Sequence, residues 1–566
     1  PDSVRQMRMA GPDTLDAYPV LVCEGQPVRG IRVRTFGPYT DKLREGFAWF
    51  GTMVQAMHAN TREDVVRGFL LMKEGEACTE FARRESERLL RAQPFLVDAR
   101  IVAHDDGKGG AILDVSTRDE FSALVEVSAR SQSPMVRGVR FGETNLGGTA
   151  TLALLDWRDG GAYNDRIGVR LQRFLVGGRP NVMNIVAARD PRGHTVQFDL
   201  FRPYLTDLQR FAWRAAVFAN RDYAGFTRPL GEGNALRFTR RAADLAGIRR
   251  FGPTGSLWLG GAMLSWEQHE TEFDRPVLLR ETGFARDTAG PFPSRFRNHA
   301  VARVNLLGGY RRVRFQRVQG FDALTGAQDV RMGFQGGVQA GRSVRGFGMR
   351  DNDWFVAGGA FWGDGGPRSY IGAQAHVEGR RDIGRGVWDE VVSGGRVAWY
   401  GKPAAPWLTQ VGVEWSAGWS ASVPFQLSFA DIEGGVRGYG RSREVGGQRL
   451  VARFEQRWVP PLALTAGDIG LAVFADVGVL KAGSVPYARG DFTASSVGLS
   501  VLATAPRRSR RVWRVDIAMP LVADGRAKSV VVRLVSADRT RQFWRDPRDL
   551  MRARDQSVPE SLFNWP

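Results

Sequence analysis

The stretch best equipped for chemistry is GGVRGYG, Gly434 to Gly440, where Arg437 and Tyr439 stand among four glycines. A guanidinium is a planar, permanently charged fork that can grip two carboxylates at once, which lysine cannot match. Gly434, Gly435 and Gly438 open backbone conformations closed to other residues, so a long loop could turn tightly and pack Tyr439 beside the arginine. In a chain with 68 glycines the competing reading is a plain flexible turn. A near copy, SVRGFG, occupies Ser343 to Gly348 and raises the same choice around Arg345.

The other reactive side chains form no constellation. His58, His104, His194, His269, His299 and His376 are isolated from one another in sequence. His269-Glu270 lacks a second histidine four residues after the first, which removes the zinc-protease reading. With no G-x-S-x-G, no P-loop and no paired carboxylates, the expectation is a protein that is not an enzyme and holds no cofactor or metal. Cys23 and Cys78 lie 55 positions apart and match no zinc or redox spacing. They either pair as a disulfide in an oxidising compartment or serve as small buried hydrophobes.

Composition bounds what could position these residues. The 566 residues include 16 Trp and 33 Phe but no run of about 20 apolar residues, so no transmembrane helix is expected. That leaves a soluble protein or a membrane barrel. The first residue is Pro1 rather than Met, which fits a leader removed by processing and equally a trimmed chain. Only six lysines contribute to the net charge of +19, and the arginines are scattered rather than massed on one helix or tail. Nucleic-acid binding is therefore not expected, whereas an anionic lipid or lipopolysaccharide surface suits dispersed arginine. A GC-rich coding bias toward arginine would leave the same pattern.

The chain changes character near Asp119. Before it, IRVRTF (31–36) reads as a strand, TREDVVRGFLL (61–71) as a helix capped by Thr61, and CTEFARRESERLLRAQPF (78–95) as a helix. Cys78, Phe81, Ala82 and Leu89 share one face of the second helix. LVDARIVAH (96–104) and AILDVSTR (111–118) then read as a hairpin around DDGKGG. Between the first strand and the first helix, segment 41–60 carries an apolar stripe of Leu43, Phe47, Phe50, Val54 and Met57. It reads as an amphipathic helix that either packs on its own domain or touches a barrel rim or membrane surface.

After Phe121 short alternating segments take over. VQFDLF (196–201) sets Val196, Phe198 and Leu200 against Gln197 and Asp199, and RLVARFEQRW (449–458) alternates the same way. Many such strands with no helices to cover them favour a membrane barrel with apolar residues toward lipid and charges toward a wet lumen. Tryptophans near segment ends, such as Trp157, Trp258, Trp458 and Trp513, suggest interfacial girdles. Divided among sixteen strands, residues 120–544 allow about 27 residues per strand and connection. Between about 297 and 405 one or two more candidate strands can be drawn than sixteen requires, so the count is left open there, with loop hairpins as one reading of some of them.

GGVRGYG is followed by GQRLVARFEQR (447–457) and GLAVFADVG (470–478). This succession resembles the BamA-type superfamily of outer-membrane assembly and translocation barrels, which also includes TamA-like proteins and two-partner secretion transporters. In that family an [FV]RG[FY]-type motif sits on the sixth extracellular loop and folds back into the barrel. The next strand carries an E-x-R-like acid and the following one an F-x-D-x-G motif. Carried onto this chain, the resemblance implies a loop clasp of Arg437 with Glu455 and Asp476, accompanied by Gly478. Parity agrees: Leu471, Val473, Ala475, Val477 and Val479 form one side of their strand, which turns Phe474, Asp476 and Gly478 inward. Five strands are expected after Gly440, at about 447–459, 468–480, 494–505, 511–520 and 529–537. Some nine would follow Gly348, and the copy there lacks the acid pattern, so it is read as a turn.

The region 25–119 resembles one POTRA domain, the family's periplasmic module, while STRDEFSALVEV (116–127) resembles the passage into the first barrel strand and TNLGGT (144–149) the turn after the second. The resemblance thus implies a mainly β protein: an extension at 1–24, a POTRA-like domain at 25–119 with the insert 41–60, a 16-stranded transmembrane antiparallel β-barrel at 120–544 and an extension at 545–566. It implies a bacterial outer membrane location, with the POTRA domain in the periplasm. The implied activity is insertion or translocation of unfolded or secreted β-rich clients, by strand capture at the POTRA edge and opening of the barrel seam, with periplasmic chaperones or accessory lipoproteins as further partners. The alternatives are a two-partner-type secretion pore and a passive or structural barrel with no client. A single POTRA domain and a chain running beyond Phe543-Trp544 favour a specialised member. The Arg-Asp-rich start of the tail is expected to be a solvated extension, with a plug or seam-covering strap as the alternative.

Overall fold

The computed structural model describes residues 18–38, 58–129, 136–160, 163–228, 233–273, 275–280, 283–288, 296–344, 351–421, 423–440, 442–461, 467–505, 507–522, 530–537, 546–555 and 558. The insert 41–60, apart from 58–60, lies outside the described residues, as do Arg345, Gly348 and Trp544. The chain divides into two compact units, the first comprising Pro1–Ser122 with Thr144–Thr151 and Leu175–Pro180, and the second the rest.

In the first unit, β1 (Glu24–Phe36), β2 (Ala77–Thr79), β3 (Leu96–Asp105) and β4 (Ala111–Asp119) form a sheet in the order β2-β1-β4-β3. β1 and β4 are parallel, which requires the crossover that α1 (Glu63–Gly68) and α2 (Glu80–Arg91) help to supply. The core draws Val28, Val66, Leu90, Ile101 and Leu113 from both layers. Thr79 caps α2 by accepting from Ala82 N at 3.3 Å. Cys23 and Cys78 are disulfide-bonded, Cα to Cα 5.0 Å, tying the start of β1 to β2.

Two sequence expectations are corrected here. Thr61 is not the cap of α1; Arg62 holds that position with no side-chain cap. The Thr61 hydroxyl and amide instead both donate to the Asp119 carboxylate at 2.7 Å, a buried acceptor that also faces His58 Nε2 at 3.1 Å. Phe81 is exposed while Cys78, Ala82 and Leu89 are buried, because α2 begins only at Glu80 and Cys78 belongs to a strand, so the assumed helical phase did not include it.

The second unit is a closed antiparallel barrel. Its ring contains 22 strand segments, but Val277–Arg280 and Gly283–Arg286 form a hairpin whose flanking strands, Leu257–Thr271 and His299–Gln319, pair directly with each other. Twenty wall strands remain among the described residues, in place of the expected sixteen. All five segments between 297 and 405 are wall strands, and connections as short as the one from Gly365 to Ser369 leave room for them. An even allotment of about 27 residues per strand had assigned too much chain to connections.

Period-2 alternation sorts each strand into two faces. In Gln448–Trp458, Arg449, Val451, Glu455 and Arg457 are buried while Leu450, Phe454 and Trp458 are exposed. Around the wall the outward apolar residues reach exposures such as 69% for Leu306, an apolar exterior suited to lipid rather than water. Trp157, Trp258, Trp407, Trp458 and Trp513 lie exposed at or near strand ends. No helix among the described residues is long and apolar enough to cross a membrane.

Among the described residues, three segments enter the lumen. The connection 420–447 folds inward from the end opposite to that at which the chain enters the first strand, and buries Phe425, Leu427, Phe429, Val436 and Tyr439. At the other end the turn 320–326 folds in, stacking Phe321 on Tyr400 and presenting its carbonyl to Gln410 and Arg457. Residues 546–555 also enter the lumen, with Asp549, Leu550, Ala553, Arg554 and Asp555 buried. The expectation of a solvated tail is therefore corrected: its charges meet opposite charges on the inner wall.

Candidate functional site: the arginine loop and its acids

The motif lies on the connection between the fifteenth and sixteenth wall strands, Trp407–Trp419 and Gln448–Trp458. Five strands follow it, Gln448–Trp458, Asp468–Lys481, Phe492–Thr504, Val512–Pro520 and Val531–Ala537. The four additional strands all precede it.

The loop is shaped by local chemistry. Gly434 and Gly438 have φ of +102° and +91°, the left-handed region that disfavours a side chain. Gly435 does not; a Cβ there would lie 2.1 Å from Phe429 O, so its role is close approach rather than the backbone freedom expected from sequence. A Cβ on Gly478, across the lumen wall, would lie 2.7 Å from both Phe429 Cε1 and Val436 Cγ2. Arg453 donates to the carbonyls of Gly434 and Gly435 at 3.0 and 2.9 Å, holding the turn from the wall.

Arg437 thereby reaches both acids. Its Nε and Nη2 donate to Asp476 Oδ2 and Oδ1 at 2.8 and 2.6 Å, its Nη1 to Glu455 Oε2 at 2.8 Å, and its amide to Asp476 Oδ2 at 3.2 Å. The guanidinium carbon lies 3.7 Å from the centroid of the Phe474 ring, a cation–π contact. Arg437, Glu455 and Asp476 are 6%, 0% and 1% exposed. The Tyr439 hydroxyl lies 2.6 Å from Val522 O and 3.1 Å from Ser495 O, so the aromatic also anchors the loop to the wall.

Sequence reasoning missed the rest of the network. Glu455 also accepts from Arg457 Nε at 2.7 Å and from Arg514 at 3.0 and 2.8 Å, and Arg514 pairs with Asp516. Three arginines thus face three carboxylates, which is what a sequestered site needs to avoid an uncompensated charge. The signal for Arg514 and Asp516 was present as inward parity on Val512–Pro520, without a motif to mark it. The loop's Asp431 accepts from Arg533 of the last wall strand at 2.8 Å, a second link that spacing could not show. Arg457 Nη1 donates to Phe321 O at 3.1 Å, so Glu455 stands between the loop above and the inward turn below. The near copy's Arg345 lies outside the described residues.

Among the described residues no group of three His, Cys, Asp or Glu side chains is placed to hold a metal ion. What the arrangement can do is mechanical: it fastens a long surface loop inside the lumen to neighbouring strands.

No family model matches the chain, and no curated protein does. Solved structures do. The chain is similar to BamA from Haemophilus ducreyi lacking POTRA domains 1–3 at 12% identity and TM-score 0.38, covering 90% of this chain and 84% of that one. It is similar to CdiB from Escherichia coli at 12% identity and TM-score 0.41, covering 94% of each. It is also similar to BauA, the ferric preacinetobactin receptor from Acinetobacter baumannii, at 11% identity and TM-score 0.32, covering 78% and 85%.

Proposed function

We propose that this chain is a non-enzymatic bacterial outer-membrane barrel whose seam opens sideways to help β-rich client proteins insert or cross, with its N-terminal domain in the periplasm. The observation that carries this reading is the tie between the arginine loop and the strand that closes the ring: Asp431, on the loop that Arg437 fastens to Glu455 and Asp476, accepts from Arg533 of the last wall strand, Val531–Ala537, whose ring neighbour is the first, Ala123–Ala129. First and last strands share no hairpin connection, so the ring can open there by breaking interstrand hydrogen bonds alone. The two edges so freed would be templates for an incoming client strand. Arg437 fastens that loop to Gln448–Trp458 and Asp468–Lys481, so release of the clasp would also loosen the loop's hold on the last strand.

A lumenal secretion pore is the second reading. It is disfavoured in this state, since the arginine loop, the inward turn 320–326 and residues 546–555 all occupy the passage. Joining the strand Ala123–Ala129 to the strand Val531–Ala537 through an engineered disulfide tests the choice. Client insertion should stop while the barrel stays folded, and reduction should restore it. Full activity with the seam locked refutes lateral opening.

A further inference from the structure

Residues 546–555 do more than fill space: they are bound as a peptide is bound. Glu378 receives the Arg554 guanidinium at 3.1 Å and the Asp555 amide at 2.6 Å. The Asp555 carboxylate lies 3.1 Å from Arg303 and 3.1 Å from Arg380. Arg240 donates to two main-chain carbonyls, Arg552 O at 3.1 Å and Arg554 O at 2.8 Å, while Glu267 holds Arg240 and Arg380 in place at 2.7 and 2.9 Å. A side-chain pair of fixed order and the backbone beside it are thus both read, from three strands of the inner wall, with Glu267 bracing the readers from a fourth. A second anchor lies nearby: Arg449 grips Asp549 at 2.6 and 3.0 Å, and Leu550 packs into the apolar cluster formed by the arginine loop.

The chemistry of this grip favours release. Ion pairs gain little over an apolar contact of equal size, because both charges must shed water to form them. A cradle of arginines and carboxylates rehydrates when its ligand leaves, where an apolar socket would not. A cavity of about 80 Å³ adjoins the segment, lined by Gln339, His376, Asp546 and Arg554. Arg552 reaches the loop's Glu433 at 3.2 Å, so withdrawal of the segment would also remove one support of the arginine loop.

We propose that the inner wall around Arg240, Glu267, Arg303, Glu378 and Arg380 is a peptide-binding site, specific for a short helix, here Arg548–Ala553, that runs out into an extended Arg-Asp pair, and that residues 546–555 are its tethered, displaceable ligand. The site is independent of any client-handling role. Its probe is a fluorescent synthetic peptide of residues 546–558, measured by anisotropy against purified barrels whose folding is checked by heat-dependent gel mobility. A chain lacking 546–566 should bind the peptide, and the full chain should bind it at least about tenfold more weakly because its own tail competes. A peptide with the Arg554-Asp555 order reversed should lose about tenfold or more. If the truncated chain does not fold, the full chain with Arg554→Ala and Asp555→Ala serves instead, and should gain binding of the unaltered peptide relative to the parent. Adding Arg240→Ala to either form should abolish the gain. Equal binding by parent and weakened-tail forms, or indifference to the Arg-Asp order, overturns the proposal.

Discussion

Replacing Arg437 by alanine should release the loop, and the structure indicates which partner would bear the loss. Glu455 would keep Arg457 and both bonds from Arg514. Among the described residues every side-chain donor to Asp476 comes from Arg437, so Asp476 would keep none of them. The cost is therefore that of one orphaned carboxylate, about 3–5 kcal/mol in a dry interior, with water access from the lumen drawing it toward about 3. An exposed pair would be worth only about 0–1 kcal/mol. At roughly 1.4 kcal/mol per factor of ten, the first case raises the population of the open loop some 100-fold and the second less than about fivefold. A thiol placed by Val436→Cys reads this directly, since Val436 is fully buried and the native cysteines are paired. Its labelling rate by a bulky maleimide should rise by about two orders of magnitude in Arg437→Ala. Arg437→Lys should fall between, retaining charge but losing the fork. Asp476→Ala added to Arg437→Ala removes the orphan and should recover part of the loss. Labelling of Arg437→Ala within about fivefold of the parent would refute the clasp as what holds the loop.

Gly478→Ala puts a methyl group against Phe429 and Val436, so it should destabilise the closed loop by about 1–3 kcal/mol and expose Arg437 to trypsin, with an unchanged digest contradicting the fit. In the N-terminal unit, hydrogen bonding from Arg83, aided by Arg84 and opposed by burial, holds Glu80 down from 4.5 to about 2. A depressed carboxylate contributes stability that is present above its unfolded value and lost as pH falls, here between about 4.5 and 2. Pepsin cleavage of this unit should therefore rise across that window, and Glu80→Gln should flatten the rise; identical profiles would remove the pair from the account.

Much of the molecule was legible from local pattern. Alternation of charged and apolar residues is a property of each strand alone, so the five strands after Gly440 and the inward direction of Glu455 and Asp476 could be read without tertiary information. The α+β order of the first unit was likewise carried by caps and periodicity, with errors at Thr61 and Phe81 where a helix began one or two residues later than its pattern suggested. Strand number was not local. Whether a segment such as Ser369–Asp382 joins the wall or stands in a loop depends on partners on both sides, and only ring closure decided for twenty. The tail was the least legible element: Asp549, Arg554 and Asp555 have the composition of a solvated extension, and nothing in their spacing names Arg449, Glu378 or Arg303 as partners. Those pairs join residues 100 to 252 positions apart, where charge complementarity exists only after the barrel has closed around the segment.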